Sequence, residues 1–363
     1  MPDRGSPRTD PPPAMPFIIA PDDRILITGA AGFIGSRVVE DLLARGFRNL
    51  VCFARPSGSP ARLQASLPRK PTGARIEIFE GNLLSPTDCE SACRDARLIF
   101  HLAAGTGDKS FPGAVLNSVV TTRNLLEASL KHARVQRFVL VSSFAVYTNR
   151  QKSRRLDESC PIEERPQVRG DAYCYAKVKQ EQIVQEYGNK FGNRYVIIRP
   201  GSVYGGSRAE ITGRIGIGTF GFFLHLGGSN SIPFTYVDNC ASAIVLAGLV
   251  EGVDGEIFNV VDDDLPSSWQ FLRLYKKNIK RFKSIYIPRP LSYALCYAWE
   301  KYSQRSHGQL PPAFNRSQWY SLWKKTRYSN NKLKNRLGWA PQVSTAEALR
   351  RYFRSWSRDQ RYA

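Results

Sequence analysis

The segment Ile25-Leu26-Ile27-Thr28-Gly29-Ala30-Ala31-Gly32-Phe33-Ile34-Gly35 constrains this chain more than any other. An apolar run, three glycines at GxxGxxG spacing and a patterned stretch over Ser36–Arg45 read as strand, tight turn and helix. In that arrangement Gly29 permits the turn, and Gly32 lets a pyrophosphate approach the backbone. Gly35 allows the helix to pack close to the strand, so that free N–H groups and the positive helix end face the phosphates.

The pattern that begins there continues. Arg24–Thr28, Leu50–Ala54, Arg75–Phe79, Leu98–Leu102, Phe138–Ser142 and Tyr195–Arg199 read as strands; Ser36–Arg45, Ser85–Arg94, Asn117–Lys131 and Ala172–Tyr187 read as helices. Alternation of this kind requires right-handed βαβ units. It predicts an α/β fold, a Rossmann-type doubly wound parallel sheet over 23–200, with a later strand near 255–262 as a candidate to rejoin it. The Pro-rich residues 1–22 are expected to be a disordered tail and carry no secretory signal pattern. Beyond Pro200 glycine becomes frequent and the alternation breaks, so 201–363 is expected to be mainly a smaller, basic, substrate-binding lobe. There is no internal repeat.

With 363 residues, 42% of them hydrophobic, the chain can bury a core, and no apolar run approaches the roughly 20 residues of a membrane span. Seven cysteines without a repeating spacing and four histidines predict neither a disulfide scaffold nor a metal site; Cys89 and Cys93 read as one helix face. The net charge of +21 is concentrated: from Phe271 onward 21 Lys and Arg face three acids, and the same stretch holds five of the six tryptophans. Such a lobe suits an anionic substrate or an anionic membrane surface, and equally a solvated basic face over ordinary aromatic packing. No helix-turn-helix, RNP or zinc-finger spacing accompanies the charge, which argues against nucleic acid. The expected location is cytoplasmic, with peripheral contact at the inner membrane surface open to this lobe.

The second strand of a dinucleotide fold usually ends in an acid that holds the adenosine ribose. Here it leads into Ala54-Arg55, so no carboxylate repels a 2′-phosphate and a guanidinium is available to pair with one. Arg37 is a candidate second contact. NADP(H) is therefore favoured over NAD(H), the alternative being that both arginines are surface residues. Five Tyr-x-x-x-Lys pairs occur, at 173/177, 175/179, 297/301, 320/324 and 328/332. The first two follow the strand ending in Ser142-Ser143, in the half that carries the glycine loop.

With those residues in view the chain resembles the extended short-chain dehydrogenases/reductases, the epimerase/dehydratase superfamily. TGAAGFIG (28–35), HLAA (101–104), VSSFAVY (141–147), YCYAK followed by Glu181, RPGSVYG (199–205), YVDN (236–239) and LGWAP (337–341) fall in that family's order. The family pattern of a small residue before the Lys and an acid four after it selects Tyr173 through Ala176 and Glu181, leaving Tyr175 to packing. The resemblance implies that Tyr173 is the general acid/base, that Lys177 lowers its pKa and holds the nicotinamide ribose, and that Ser143 hydrogen-bonds the reacting oxygen. It also puts Gly29, Gly32, Phe33, Ile34, Gly35, Asn82, Leu83 and Ala103 against the cofactor, Asn82 replacing the usual Asp near adenine. Homodimerisation through two helices is common in such proteins.

Departures from the family narrow the chemistry. Phe144-Ala145 stand where sugar-nucleotide 4,6-dehydratases carry Asp-Glu, so dehydration is rejected. Ser202 and Ile232 replace an Asn and an Arg with which many epimerases contact a nucleotide diphosphate; Arg208 and Arg214 are candidate substitutes. The run Ile232–Asn239 and the segment Pro288–Lys325, with Tyr293, Tyr297, Trp299 and Tyr302 near Lys301 and Arg305, resemble the 3β-hydroxysteroid dehydrogenase-like branch. That segment suits a membrane surface or an apolar substrate, or else a helix buried on the sheet domain. The expectation is hydride transfer at a secondary alcohol or ketone of a sterol- or isoprenoid-like or sugar substrate. The alternatives are a nucleotide-sugar 4-epimerase/reductase and, in another class, a non-catalytic NADP-binding regulator.

Overall fold

Short apolar runs rich in β-branched residues, buried on both sides, can be satisfied only inside a sheet with helices on each face. Seven such runs pair here: β1 (Arg24–Thr28), β2 (Asn49–Ala54), β3 (Arg75–Glu80), β4 (Ala96–His101), β5 (Arg137–Val141), β6 (Tyr195–Pro200) and β7 (Ile257–Val260). Every pairing is parallel and the order is β7-β6-β5-β4-β1-β2-β3. The connections leave β1 in one direction and β4 in the other, which makes the carboxyl ends of these two strands the topological switch point where such sheets bind ligands. The computed structural model describes residues 16–56, 73–105, 110–132, 134–206, 211–219, 221–306, 309–310 and 314–359.

Two apolar layers sandwich the sheet. On one face α1 (Gly35–Ala44) contributes Val38, Val39 and Leu42, which pack with Ile244 and Ala247 of a later helix, Val237–Leu249. On the other, α2 (Pro86–Cys93), α3 (111–131) and α4 (Ala172–Phe191) supply Cys89, Ala92, Leu125, Leu126, Ile183 and Val184. Helix α3 starts earlier than its sequence pattern predicts, at a Ser110 cap, and its stretch Val115–Val120 is π-wound. Helix α4 starts at Asp171, whose carboxylate accepts the Tyr173 and Cys174 N–H groups, and stops at Gly192 with φ +70°. We label the helix Val237–Leu249 α5. Its carbonyl end is closed by Arg137 at the start of β5, whose fully buried guanidinium donates to the carbonyls of Ala247, Gly248 and Val250 and to Asp254.

The expected disordered tail ends earlier than residue 22. Ile18 N–H donates to Leu249 O at 2.9 Å, Phe17 bridges Val250, and Ile19 is buried. The apolar patch Phe17-Ile18-Ile19 thus covers the end of α5, and hydrophobic burial outweighs the Pro-rich composition from residue 16 onward; the earlier tail residues lie outside those described. Past β6 the chain runs back and forth between sheet and lobe. α5, β7 and the helix Asn331–Leu337 return to the sheet, while a three-stranded sheet (Gly216–Thr219, Phe222–His225, Ser284–Tyr286) and the helices Ser268–Asn278, Arg289–Arg305, Arg316–Trp323 and Thr345–Asp359 form a second lobe.

Candidate active site

The glycine loop lies at the carboxyl end of β1. Gly29 holds φ +73°, and a β-carbon there would stand 2.9 Å from Ala103 N. A β-carbon on Gly35 would lie 2.1 Å from Gly29 O, so α1 reaches the loop only with glycine at that position. Ala31 and Gly32 are exposed, and the start of α1 has neither a capping side chain nor an acid in its first turn. The loop therefore presents bare N–H groups and a positive helix end in a cradle that side chains would fill, which fits a dinucleotide pyrophosphate. Phe33 and Ile34 are half-buried beside it.

Two strands away, at the end of β5, Ser143 turns into extended backbone and its hydroxyl is in hydrogen-bond contact with Tyr173 of α4. Four residues on, Lys177 is buried; its Nζ lies 5.9 Å from the centre of the Tyr173 ring and donates to Val141 O at 2.8 Å. The three side chains thus meet at the sheet's carboxyl edge. Burial raises the Tyr173 pKa and the Ser143 contact partly offsets it. Burial also lowers Lys177 to about 8, against the opposing pull of Glu181. Lys177 is therefore cationic below about pH 8 and loses its charge above it. Tyr175 points elsewhere, edge-on to Phe111 at 5.4 Å.

Two buried networks hold this arrangement. Glu181, one turn beyond Lys177, is fully buried and receives both Nε and Nη2 of Arg199 from β6, at 2.9 and 2.6 Å, and the Ser142 hydroxyl at 2.5 Å. Arg199 also donates to Tyr147 Oη, which donates to Asn259 of β7. Ser142 is thereby committed to the interior. The second network centres on His101 at the end of β4, with Thr28 on Nδ1 at 2.8 Å and Thr122 on Nε2 at 2.9 Å. Thr122 donates to Ser118 O and accepts from Gln180, so the imidazole carries its proton on Nε2 and accepts from Thr28. Burial, with the Lys177 charge second, lowers His101 to about 3 and keeps it neutral. Sequence reasoning assigned no role to His101, Arg199 or Tyr147. The signal available was a histidine at a strand end, opposite the threonine that precedes the glycine loop.

The other expected cofactor contacts fare unevenly. Arg55 is exposed just past the end of β2, with no carboxylate in the register position the fold usually fills. Arg37 is paired with Glu40 at 2.5 Å and Asp238 at 3.5 Å, two carboxylates that compete with a phosphate for its guanidinium. Asn82 accepts the Leu84 N–H in an Asx turn, which leaves its carbonyl oxygen one lone pair for a further donor. Leu83 is a buried core residue whose carbonyl accepts from Asn124. Ala103 N–H donates to Thr28 Oγ1 at 3.3 Å, directly against Gly29. Ser202 is held by Pro233 O, and Ile232 is 1% exposed. Arg208 lies outside the described residues. Among those residues no cluster of metal-ligating groups occurs.

With this geometry in hand, comparison with known proteins is informative. The model of the NAD dependent epimerase/dehydratase family matches residues 25–260. The chain is similar to a sterol-4-alpha-carboxylate 3-dehydrogenase, decarboxylating, of Candida albicans, at 26% identity over 283 residues, 75% of this chain and 79% of that one. It is 26% identical over 342 residues to a 3 beta-hydroxysteroid dehydrogenase/Delta 5-->4-isomerase of Mycobacterium tuberculosis, covering 90% and 88% of the two chains. The structure of UDP-glucuronic acid 4-epimerase from Bacillus cereus, in complex with UDP-glucuronic acid and NAD, shares the fold. Its TM-score is 0.68 at 22% identity, over 92% of this chain and 99% of the other.

Removing one member of the buried pair leaves the other charge uncompensated. Glu181→Gln is expected to lower stability by about 3–5 kcal/mol, measured by urea unfolding, whereas Glu186→Gln on the exposed side of α4 leaves the unfolding midpoint essentially unchanged.

Proposed function

This chain belongs to the NAD-dependent epimerase/dehydratase family, and on that premise we propose that it catalyses reversible hydride transfer at a secondary alcohol or ketone. The observation that carries the proposal is the convergence of Ser143, Tyr173 and Lys177 at the carboxyl edge of the sheet that bears the glycine loop. A bound nicotinamide dinucleotide supplies the hydride acceptor or donor at the carbinol carbon. Gly29, Gly32 and Gly35 hold its pyrophosphate, Ala103 lines the path from loop to ring, and Lys177 holds the nicotinamide ribose. Tyr173 takes the alcohol proton in oxidation and returns it in reduction, while Ser143 donates to the reacting oxygen. Burial holds the phenol above its ordinary pKa, with the Ser143 contact opposing, and we assign to the charges of Lys177 and the oxidised nicotinamide the role of favouring the phenolate.

We favour NADP(H) because Arg55 is exposed and without a carboxylate partner among the described residues; with Arg37 paired, the 2′-phosphate contact falls to Arg55. An apolar alcohol, sterol- or isoprenoid-like, is favoured over a nucleotide sugar. The Ile232 side chain is buried where an epimerase needs a cation, and the curated relatives described above are named for sterol and steroid substrates. A non-catalytic regulator would have no use for the meeting of all three groups.

The helix Arg289–Arg305 is amphipathic in an inverted sense. Ser292, Cys296 and Ser303 face inward, while Leu291, Leu295 and Tyr302 are 49%, 56% and 61% exposed, with Ala294 and Ala298 exposed between them. Trp319 Nε1 donates to Ser292 Oγ, which fixes the inward face. An exposed apolar stripe flanked by Lys301 and Arg305, in a region this basic, fits an anionic bilayer surface, from which an apolar substrate would be drawn.

Four outcomes test these assignments. Tyr173→Phe lowers kcat by about 10²–10⁴-fold with dinucleotide affinity unchanged, and wild-type kcat/KM for ketone reduction falls as pH rises through about 8, where Lys177 loses its proton. A fully active Tyr173→Phe enzyme refutes the role. Arg55→Ala weakens NADPH by about tenfold or more while barely altering NADH; equal losses by fluorescence titration remove the case for NADP. The protein co-sediments with phosphatidylglycerol vesicles, and Leu291→Gln/Leu295→Gln abolishes this. Unchanged binding, or a dimer that the double variant dissociates, assigns the stripe to something other than the bilayer.

A further inference from the structure

The three-stranded sheet of the second lobe carries a glycine that the fold itself does not require. In the antiparallel pair Gly216–Thr219 and Phe222–His225, Gly216 cannot be replaced, because a β-carbon there would stand 2.0 Å from Leu224 O. Gly221 serves the turn at φ +76°. Gly218 has neither reason. Its φ is outside the left-handed region, and no atom of the described residues beyond its chain neighbours lies within 4 Å of where its β-carbon would be. Glycine inside a strand weakens it relative to alanine, and it recurs where a ligand comes close to the backbone.

Gly218 opens onto a cleft of about 440 Å³ walled by Ile211, Phe222, Phe223, Tyr275 and Phe282, with Lys280 the one charged residue in its lining among the described residues. That volume falls in the range of small-ligand pockets, about 300–1,000 Å³. Phe222 is 44% exposed and Phe282 half-buried, so aromatic surface faces water across unfilled space. Gly218 stands opposite Phe223 in the register, and a side chain at 218 would share its face of the sheet. The base of the hairpin is tied down elsewhere. Arg214 donates to the Ser321 main-chain oxygen at 2.8 Å, Trp323 Nε1 donates to Gly213 O at 2.9 Å, and Ile215 O accepts from Leu226 and Gly227. The cleft lies toward the turn, about 10 Å further along the strands, and neither Ser143, Tyr173, Lys177 nor the glycine loop lines it.

Charge selects the occupant. The segments that wall the cleft, 211–223 and 275–282, contain no acid, and from Leu265 to Trp299 seven cations occur without one. Lys276 is engaged, 5.0 Å from the centre of the Phe282 ring and donating to Ser284 Oγ at 2.5 Å. Lys280 has no carboxylate on these walls to meet. An apolar trough with a single lining ammonium complements a single apolar chain that ends in one negative charge. We propose that this cleft binds a free long-chain fatty acid, its chain lying along Gly218 and its carboxylate on Lys280, at a site separate from the one at Tyr173. The proposal is independent of the hydride-transfer reading.

The full-length protein is titrated calorimetrically with decanoate and with its uncharged counterpart decanol, as wild type, Gly218→Leu and Lys280→Gln. It is also labelled with a diazirine-bearing fatty acid, and mass spectrometry reads the point of attachment. Wild type binds decanoate at one site, and the label falls on 211–223 or 275–282. Gly218→Leu weakens both ligands by about tenfold or more, since lost contact with two methylene groups already costs that much; its Tm equals or exceeds that of wild type. Lys280→Gln weakens decanoate by about threefold and leaves decanol unchanged. Absence of decanoate binding in wild type, equal affinity in wild type and Gly218→Leu, or a label anywhere else, the segments of Ser143 and Tyr173 included, overturns the site. A large fall in Tm for Gly218→Leu also overturns it, because the glycine then serves the fold. Loss of decanoate binding in Leu291→Gln/Leu295→Gln but not in Gly218→Leu does the same, by assigning the ligand to the exposed helix stripe.

Discussion

A carboxylate and a guanidinium buried together under the carboxyl edge of the sheet organise everything above them. Glu181 and Arg199 would each carry a prohibitive desolvation cost alone. As a bidentate pair with Ser142, Tyr147 and Asn259 they are satisfied, and they can be satisfied only when α4, β5, β6 and β7 are in register. The pair therefore works less as a source of net stability than as a selector of one alignment. That alignment fixes the rotation of α4, which turns Tyr173 toward Ser143 and Lys177 toward Val141. The neighbouring chain from Gln180 through Thr122 and His101 to Thr28 extends the same control across β4 to the glycine loop.

Much of the sheet was legible in the sequence because local patterns specify it. Apolar runs of strand length, punctuated by a glycine turn and by caps such as Ser85 and Asp171, need no distant information. Departures appear where a distant partner decides. The Glu40 partner of Arg37 is visible at i, i+3, but Asp238 arrives from α5 and completes its neutralisation. Phe17-Ile18-Ile19 falls within the Pro-rich stretch expected to be disordered, yet the end of α5 offers it both an apolar surface and the Leu249 carbonyl. Asn82 reads as an acceptor for a ligand by position, and its Asx turn to Leu84, two residues away, could have been foreseen.

The candidate site was legible in outline and obscure in its support. Position after a Ser-Ser strand end narrows five Tyr-x-x-x-Lys pairs to 173/177 and 175/179, and the family pattern carried by Ala176 and Glu181 chooses the first. The buried histidine is not singled out in this way, because a lone histidine in a sequence is equally a surface group, and here its two threonine partners lie 73 and 21 positions away. The second lobe was least legible, since its helix Arg289–Arg305 departs from the usual rule of apolar inside and polar outside. Basic and aromatic composition flagged the region; which side chains of Arg289–Arg305 face outward depends on tertiary contacts such as Trp319 with Ser292.

The order in which the sheet's strands leave the ribosome has a consequence for biogenesis. β6 is complete at Pro200, but its outer neighbour β7 ends only at Val260, and Arg137 waits for the same stretch to find Asp254. At translation rates of about 5–20 residues per second, the edge of β6 stays unpaired for about 3–12 seconds. Throughout that interval Val196, Ile197 and Ile198, all buried in the finished protein, are open to pairing with another nascent chain. Slow codons or depleted chaperones in that window would therefore cost yield of folded protein, independently of how stable the finished molecule is.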